Sequence, residues 1–118
     1  MSASIKPMLT AVAFQMAAAL ESYQAEFDGM VQSWHDPGRY AAVNRRLEDI
    51  RMYRGALPQL SVDVVEVLIA HVELMHSLWD ATVRPSREAM ERVEQLRGQL
   101  HRRVETMRAK CLRLCGPA

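Results

Sequence analysis

Residues Ser61 to Val83 have a polar position every three or four residues and are otherwise almost entirely apolar, a pattern that indicates an unusually apolar helix. At 100° per residue, the polar positions recur every three or four residues and share one narrow ridge. The ridge consists of Asp63, Glu66, Ala70, Glu73, Ser77 and Asp80. Apolar residues spread over roughly two-thirds of the circumference, far more than the ~100° stripe of an ordinary surface helix. We therefore expect this helix to be covered on several sides, with its polar ridge facing solvent.

The same spacing predicts three further helices, separated by clear breaks. The four predicted helices span residues 7–34, 37–54, 62–83 and 86–114. Asp36 is placed to cap the second helix ahead of Pro37, and Ser61 to cap the third. Pro85 interrupts the pattern between the third and fourth helices, although one kinked helix is an alternative there. Because short turns join antiparallel helices, we predict an all-α, up-down-up-down four-helix bundle with a long C-terminal helix.

Length and composition fit one folded domain. The chain has 118 residues, of which 49% are hydrophobic and 25% charged, values that are ordinary for a globular protein. We expect residues 1–118 to form a single helical-bundle domain with short flexible ends at 1–5 and 116–118. No run of about 18 uncharged apolar residues occurs, so no membrane-spanning helix is predicted. The start of the chain lacks a secretory pattern, and the cysteine usage is typical of a reduced, cytoplasmic protein.

One short motif is typical of metal sites in helical bundles. Glu73 and His76 form a Glu-x-x-His pair, and Asp80 follows on the same ridge. Di-iron bundles use two such pairs together with carboxylates from further helices. Since the chain has no second pair, we predict a solvated ridge and neither a metal nor another cofactor.

His71 and the two cysteines carry the remaining candidate chemistry. His71 falls within the apolar arc of the third helix, and we expect it to be hydrogen-bonded in the core or at the edge of an interface. Histidine phosphotransfer domains have a lysine and a glycine after their histidine, whereas Leu74 and Met75 stand there in this chain. Cys111 is predicted to be a core residue, and Cys115 to be exposed. No nucleophile is placed with a histidine and an acid in a known motif, so an enzyme is not predicted.

The C-terminal helix is the most basic part of the chain. From Arg84 onward there are nine basic and four acidic residues, although the net charge of the whole chain is only +1. A basic helix can contact nucleic-acid phosphates, and a nucleic-acid-associated regulator is therefore an alternative function. The arginines are distributed around the helix, however, and no helix-turn-helix signature accompanies them. We expect them instead to pair with acids of the ridge or of another subunit.

The surplus apolar surface of the third helix is the main clue to function. A four-helix bundle needs only part of each circumference for its core, and methionines on several stripes suit surfaces that adapt to partners. We therefore predict a non-enzymatic protein–protein interaction module. It would be a homodimer, or a small adaptor or chaperone-like protein that holds an amphipathic helix of another protein in an apolar groove. The residues predicted to contact the partner are Val67, His71, Leu74, Leu78, Leu100, Val104, Met107 and Cys111.

Overall fold

Four α-helices form the structure, in the order that the sequence predicts. The computed structural model describes the backbone of residues 2–116 and the side chains of residues 8–116, and Met1, Pro117 and Ala118 lie outside the described residues. The helices are α1 (Ser2–Gln32), α2 (Pro37–Arg54), α3 (Ser61–Val83) and α4 (Arg87–Leu114), with a 3₁₀ turn at Pro58–Leu60 ahead of α3. The all-α bundle is therefore confirmed. Because α1 begins at Ser2, ahead of the predicted residue 7, it includes most of the segment predicted as a flexible end.

Side-chain caps account for two of the breaks. The carboxylate of Asp36 accepts hydrogen bonds from the backbone N–H groups of Gly38, at 2.8 Å, and Arg39, at 3.4 Å, and so begins α2 as predicted. Ser86 does the same for α4, because its hydroxyl accepts a 3.0 Å bond from the N–H of Ala89. The helices α3 and α4 are therefore separate.

The cap predicted for α3 is wrong. Leu60 occupies the N-cap position without a side-chain cap bond, whereas Ser61 is already within the helix and its hydroxyl donates to the carbonyl of Pro58. The 3₁₀ turn supplies the entry instead, since the N–H of Leu60 donates to the carbonyl of Leu57 at 2.9 Å. Backbone bonds of the turn thus replace a capping side chain.

The helices pack as two antiparallel pairs joined through α1 and α4. Helix α1 lies along α2 and along α4, and α3 lies along α4, whereas α2 and α3 touch only sparsely. The result is an elongated bundle of 57 × 24 × 22 Å. Since α2 contributes little to its cover, α3 depends mainly on α4 for packing.

The core runs the length of the bundle and takes one stripe from each helix. Its largest fully buried side chains include Met16, Leu20, Tyr23, Phe27 and Met30 of α1, Val43 and Ile50 of α2, Leu74 of α3, and Leu100 and Met107 of α4. The eight residues predicted to contact a partner are all buried, at most 7% exposed. They line the inside of the bundle, so the predicted docking surface has to be corrected. The buried set is Val67, His71, Leu74, Leu78, Leu100, Val104, Met107 and Cys111.

The orientation of α3 explains this correction. The ridge that we expected to face solvent is turned toward α4, and Asp63, Ala70 and Ser77 are buried. Ala70 and Ser77 are small enough to let α4 approach, and the carboxylate of Asp63 accepts a 2.8 Å hydrogen bond from the Lys110 ammonium group. The apolar stripe on one side of the ridge therefore enters the core, and the stripe on its other side stays outside.

Candidate docking surface on helix α3

A second apolar stripe of α3 lies on the surface of the bundle. Its members recur at alternating intervals of three and four residues over three heptads, and we call this stripe the α3 seam. The α3 seam consists of Val62, Val65, Ile69, Val72, His76, Trp79 and Val83. Its six apolar side chains are 42–73% exposed, and His76 is exposed as well. A seam with this spacing is typical of helices that pack against a second helix, yet this one faces solvent.

The α3 seam is larger and more regular than isolated surface residues. Helix α3 has 23 residues, or about 34 Å at ~1.5 Å per residue, and the seam follows almost all of it. Its side chains expose several hundred Å² of apolar surface, which is near the upper limit for a monomeric protein. By contrast, the stripe of six apolar residues in α4 from Val93 to Cys111 is entirely buried. The exposed large apolar side chains of the other helices show no such repeat; they are Met8, Leu9 and Phe14 of α1, Tyr40 and Met52 of α2, and Met90 and Leu112 of α4.

Acidic residues flank the α3 seam on the side of α4. We call Glu66, Glu73 and Asp80 the acidic row, since they recur at intervals of seven residues. Glu66 is paired with Arg103 of α4. Asp80 has the exposed His76 beside it, at 4.0 Å from the ring nitrogen Nε2. Among the residues that the structure describes, Glu73 forms no ion pair, so the middle of the row is left without a cation.

Two shallow depressions lie between the α3 seam and α4. The larger has a volume of about 380 Å³, and its walls include Val72 and His76 of the seam and Arg92 and Leu96 of α4. The smaller, of about 150 Å³, lies beside Ile69. Both depressions border the α3 seam, since Val72 lines the larger and Ile69 the smaller, so side chains of a helix placed along the seam would lie next to them.

The two edges of the α3 seam differ in chemistry. Opposite the acidic row, Leu68 and Met75 are half-buried and pack against the core. A helix lying on the seam therefore meets carboxylates along one edge and apolar side chains along the other. This asymmetry gives the surface a direction that a partner has to match.

An aromatic cluster holds the C-terminal end of the seam in place. The rings of Trp79 and Trp34 meet edge to face with their centroids 4.9 Å apart, and the His35 ring lies 5.0 Å from that of Trp79. The indole N–H of Trp34 donates a 2.7 Å hydrogen bond to the hydroxyl of Thr82, which donates to the carbonyl of Leu78 at 2.8 Å. These contacts tie the segment after α1 to α3 and orient the Trp79 ring at the surface.

His71 lies on the opposite, buried face of α3, and its predicted place in the core is confirmed. Its Nδ1 atom is 2.8 Å from the hydroxyl of Tyr23, and its ring meets the Phe27 ring edge to face at 5.4 Å. Burial, together with the positive charge of Arg51, lowers the pKa of His71 to about 4. Burial also raises the pKa of the Tyr23 phenol above its usual value. Both groups are therefore neutral near pH 7, and the phenol can donate to Nδ1.

The remaining candidate residues lie on the surface or inside the core, apart from one another. Glu73, His76 and Asp80 share one edge of α3, but no group of three His, Cys, Asp or Glu side chains within the described part of the chain is placed to hold a metal ion. Cys111 is buried as predicted, and burial raises the pKa of its thiol to about 11. Cys115, predicted to be exposed, is half-buried with its sulfur 3.8 Å from a backbone carbonyl of α1.

Cations of α4 take part in ion pairs that join the helices. Arg97 and His101 both contact one carboxylate oxygen of Asp28 in α1, at 3.3 and 2.9 Å. Lys110 and Arg103 contact acids of α3, which confirms the pairing expected between the basic helix and the acidic ridge. The nucleic-acid alternative stays a prediction, and these cations are engaged within the fold.

Sequence reasoning found the apolar excess of α3 but assigned it to the other stripe. Val65, Ile69 and Val72 belong to the apolar arc that the pattern indicates, yet none of them is among the residues predicted to bind a partner. One sequence signal bears on how α3 is oriented. Ala70 and Ser77 are small, which marks the ridge as a place where another helix comes close, whereas the spacing of the two stripes is the same.

The comparisons with known proteins leave the geometry as the basis for function. No protein-family model, curated protein or solved structure matches this chain. Within the described residues, none of the helices is both long and apolar enough to cross a membrane.

Proposed function

We propose that this chain is a non-enzymatic protein–protein interaction module that holds a helix against the α3 seam. The observation that carries the proposal is the unbroken heptad spacing of seven exposed residues on a helix whose other face already completes the core. Apolar residues at this spacing form a continuous stripe, between whose side chains a second helix can insert its own. Apolar residues that are merely tolerated at a surface would be scattered instead.

Covering the α3 seam would release enough free energy for a stable complex. At roughly 25 cal/mol per Å², several hundred Å² of apolar surface correspond to on the order of 10 kcal/mol. Part of this gain is offset by the translational and rotational freedom lost on association, and part by the ordering of side chains. We therefore expect binding in about the micromolar range rather than the picomolar range.

Two kinds of occupant use the same mode of binding. One is a second copy of this chain, and the other is an amphipathic helix of another protein, held as an adaptor or chaperone-like protein would hold it. Either would lie along the seam with side chains entering the depressions beside Val72 and Ile69. The core residues that the sequence first indicated take no part in this contact.

A synthetic amphipathic helix tests the proposal. A fluorescein-labelled peptide of three heptads, with leucine at its apolar positions and glutamine along both edges, is titrated with the protein while anisotropy is recorded. We expect binding that weakens about tenfold or more in the Val65→Glu/Val72→Glu variant, because each glutamate interrupts the seam with a charge. The Phe14→Glu/Met52→Glu variant is the matched control. It places the same charges on exposed apolar positions of α1 and α2 and should bind like the parent.

Two results would contradict this proposal. One is that the protein binds neither the peptide nor a second copy of itself at any concentration at which it stays soluble. The other is peptide binding that the Val65→Glu/Val72→Glu variant retains in full, since the contact would then lie away from the α3 seam. Circular dichroism of each variant establishes that the compared proteins are folded.

A further inference from the structure

Antiparallel pairing of two copies through the α3 seam is disfavoured by charge. A two-fold axis perpendicular to the helices places each edge of one helix against the same edge of the other. With the axis near Val72, Glu73 would face its own counterpart and Asp80 would face Glu66 of the second copy. The acidic row of one copy would thus face the acidic row of the other. Because like charges repel each other across an interface, this antiparallel pairing is disfavoured.

Parallel pairing of two copies is disfavoured by shape. Each heptad of such a seam has two apolar positions. A parallel pair of helices is favoured by a β-branched residue at the first position and leucine at the second, whereas β-branched residues at both positions favour three or four helices. In the N-terminal half of the α3 seam both positions are β-branched, with Val62 and Ile69 at one and Val65 and Val72 at the other. In its C-terminal half His76 and Trp79 take these positions, so the leucine that favours a parallel pair is absent from the whole seam. Further strands would have to share the single free face of α3, because α4 packs along its other side.

These features suit a helix that is not a copy of α3. We infer that the α3 seam holds an amphipathic helix of another protein, with leucine-like apolar side chains and with lysine or arginine along one flank. This inference rests on the proposed function and adds the chemistry of the partner. Leucine side chains complement the β-branched residues of the seam, and basic side chains on one flank reach Glu73 and Asp80, which lie exposed at its edge.

Within the described part of the chain, the cations of α4 leave two carboxylates of the acidic row without an arginine or lysine partner. Arg103 is already engaged with Glu66. Arg92 lines the larger depression together with Glu73 and Asp80, but among the described residues it forms no ion pair with either carboxylate. The exposed carboxylates of Glu73 and Asp80 are therefore free to pair with a basic flank of the occupant.

Two peptides that differ only in the charge of their edges test the inference. Both have leucine at the apolar positions of three heptads, and one has lysine, the other glutamate, along both edges. Placing the charge on both edges makes the result independent of whether the peptide binds parallel or antiparallel. We expect the lysine peptide to bind the parent protein roughly tenfold more tightly than the glutamate peptide at low salt. High salt should reduce this preference, since exposed charges are screened.

Charge reversal in the acidic row should invert the preference. In the Glu73→Lys/Asp80→Lys variant, the glutamate peptide is expected to bind more tightly than the lysine peptide. The Glu91→Lys/Glu105→Lys variant is the matched control, because it changes the net charge by the same amount on α4, beside Arg87 and Arg108. It should keep the preference of the parent for the lysine peptide.

Failure of this inference is distinguishable from failure of the proposed function. Equal or tighter binding of the glutamate peptide to the parent would overturn the inference. So would a dimer in sedimentation equilibrium that Val65→Glu/Val72→Glu abolishes, since a second copy would then be the occupant. Both results leave a helix on the α3 seam and so leave the proposed function standing. If no peptide binds and the chain does not associate with itself, the proposed function is overturned as well.

Discussion

Helix α3 carries two apolar stripes with the same spacing and opposite surroundings. One stripe is sealed inside the bundle, whereas the α3 seam faces solvent. We call the buried one the core stripe, and it consists of Val64, Val67, His71, Leu74 and Leu78. The difference does not come from hydrophobicity, since both stripes contain valine and a histidine. It comes from the ridge between the two stripes. Because the small residues of the ridge face α4, the stripe on one side of the ridge lies in the core and the stripe on the other side lies at the surface.

The largest expected effect comes from placing a charge on each stripe in turn. Leu74→Asp puts a carboxylate at a fully buried position, which should unfold the protein, because an unpaired buried charge costs several kcal/mol. Val72→Asp, two residues earlier on the α3 seam, should leave the helical signal intact. Far-ultraviolet circular dichroism of both variants measures this contrast. A folded Leu74→Asp protein would contradict the assignment of Leu74 to the core.

The histidines of the two stripes provide a contrast in pH dependence. The pKa of buried His71 is lowered to about 4, so between its ordinary value of 6.5 and about 4 the unfolded chain binds the proton and the folded one does not. Stability is therefore full above pH 6.5 and should fall by about 3 kcal/mol as the pH is lowered through that window. Urea unfolding at several pH values measures it.

The matched variants separate this effect from other titrations. His71→Gln should remove the loss of stability between pH 6.5 and about 4, whereas His76→Gln, on the exposed stripe, should keep it. The same pH dependence in both variants would show that His71 is not its source.

A valine-to-alanine substitution on each stripe removes the same two methyl groups and tests how deeply each stripe is buried. Val67→Ala should lower the free energy of unfolding by about 2 kcal/mol, because the position is fully buried and a cavity is left. Val65→Ala should change it by about 0.5 kcal/mol or less, since the side chain is already in contact with water. Chemical denaturation measures both values. Equal losses would mean that the α3 seam is covered within the single chain.

The smallest expected contrast concerns the ion pairs along the ridge. Lys110→Met leaves the nearly buried carboxylate of Asp63 without its cation and should cost about 1–2 kcal/mol. Arg103→Met breaks the more exposed pair with Glu66 and should cost about 0.5 kcal/mol or less. Unfolding midpoints of the two variants measure the difference. A larger loss for Arg103→Met would contradict the burial of the ridge at Asp63.

The helices themselves are predictable because local chemistry decides where they begin and end. Asp36 and Ser86 cap the helices that follow them, and each cap depends on only a few neighbouring residues. The start of α3 departs from prediction at Ser61, because a 3₁₀ turn that the pattern does not indicate takes over the role of the cap. The excess of apolar surface on α3 is likewise predictable from the sequence.

The position of the candidate site is not predictable from periodicity alone. The ridge has an apolar stripe on each side, and a single helix offers no basis for choosing between them. The choice depends on α4, which packs over Ala70 and Ser77 and pairs Lys110 with Asp63, contacts that are distant in sequence. The small size of Ala70 and Ser77 indicates that another helix packs against the ridge. The polarity of the ridge, taken alone, indicates instead that it faces solvent.

Methyl-resolved nuclear magnetic resonance of α3 tests the central claim most directly. Spectra are recorded while the lysine-flanked helix peptide is added to the protein. We expect the methyl signals of Val65, Ile69 and Val72 to shift or broaden, while those of Val67 and Leu74 on the core stripe keep their positions. Shifts that are confined to the core stripe, or an α3 seam whose signals do not respond while the peptide binds, would contradict that claim.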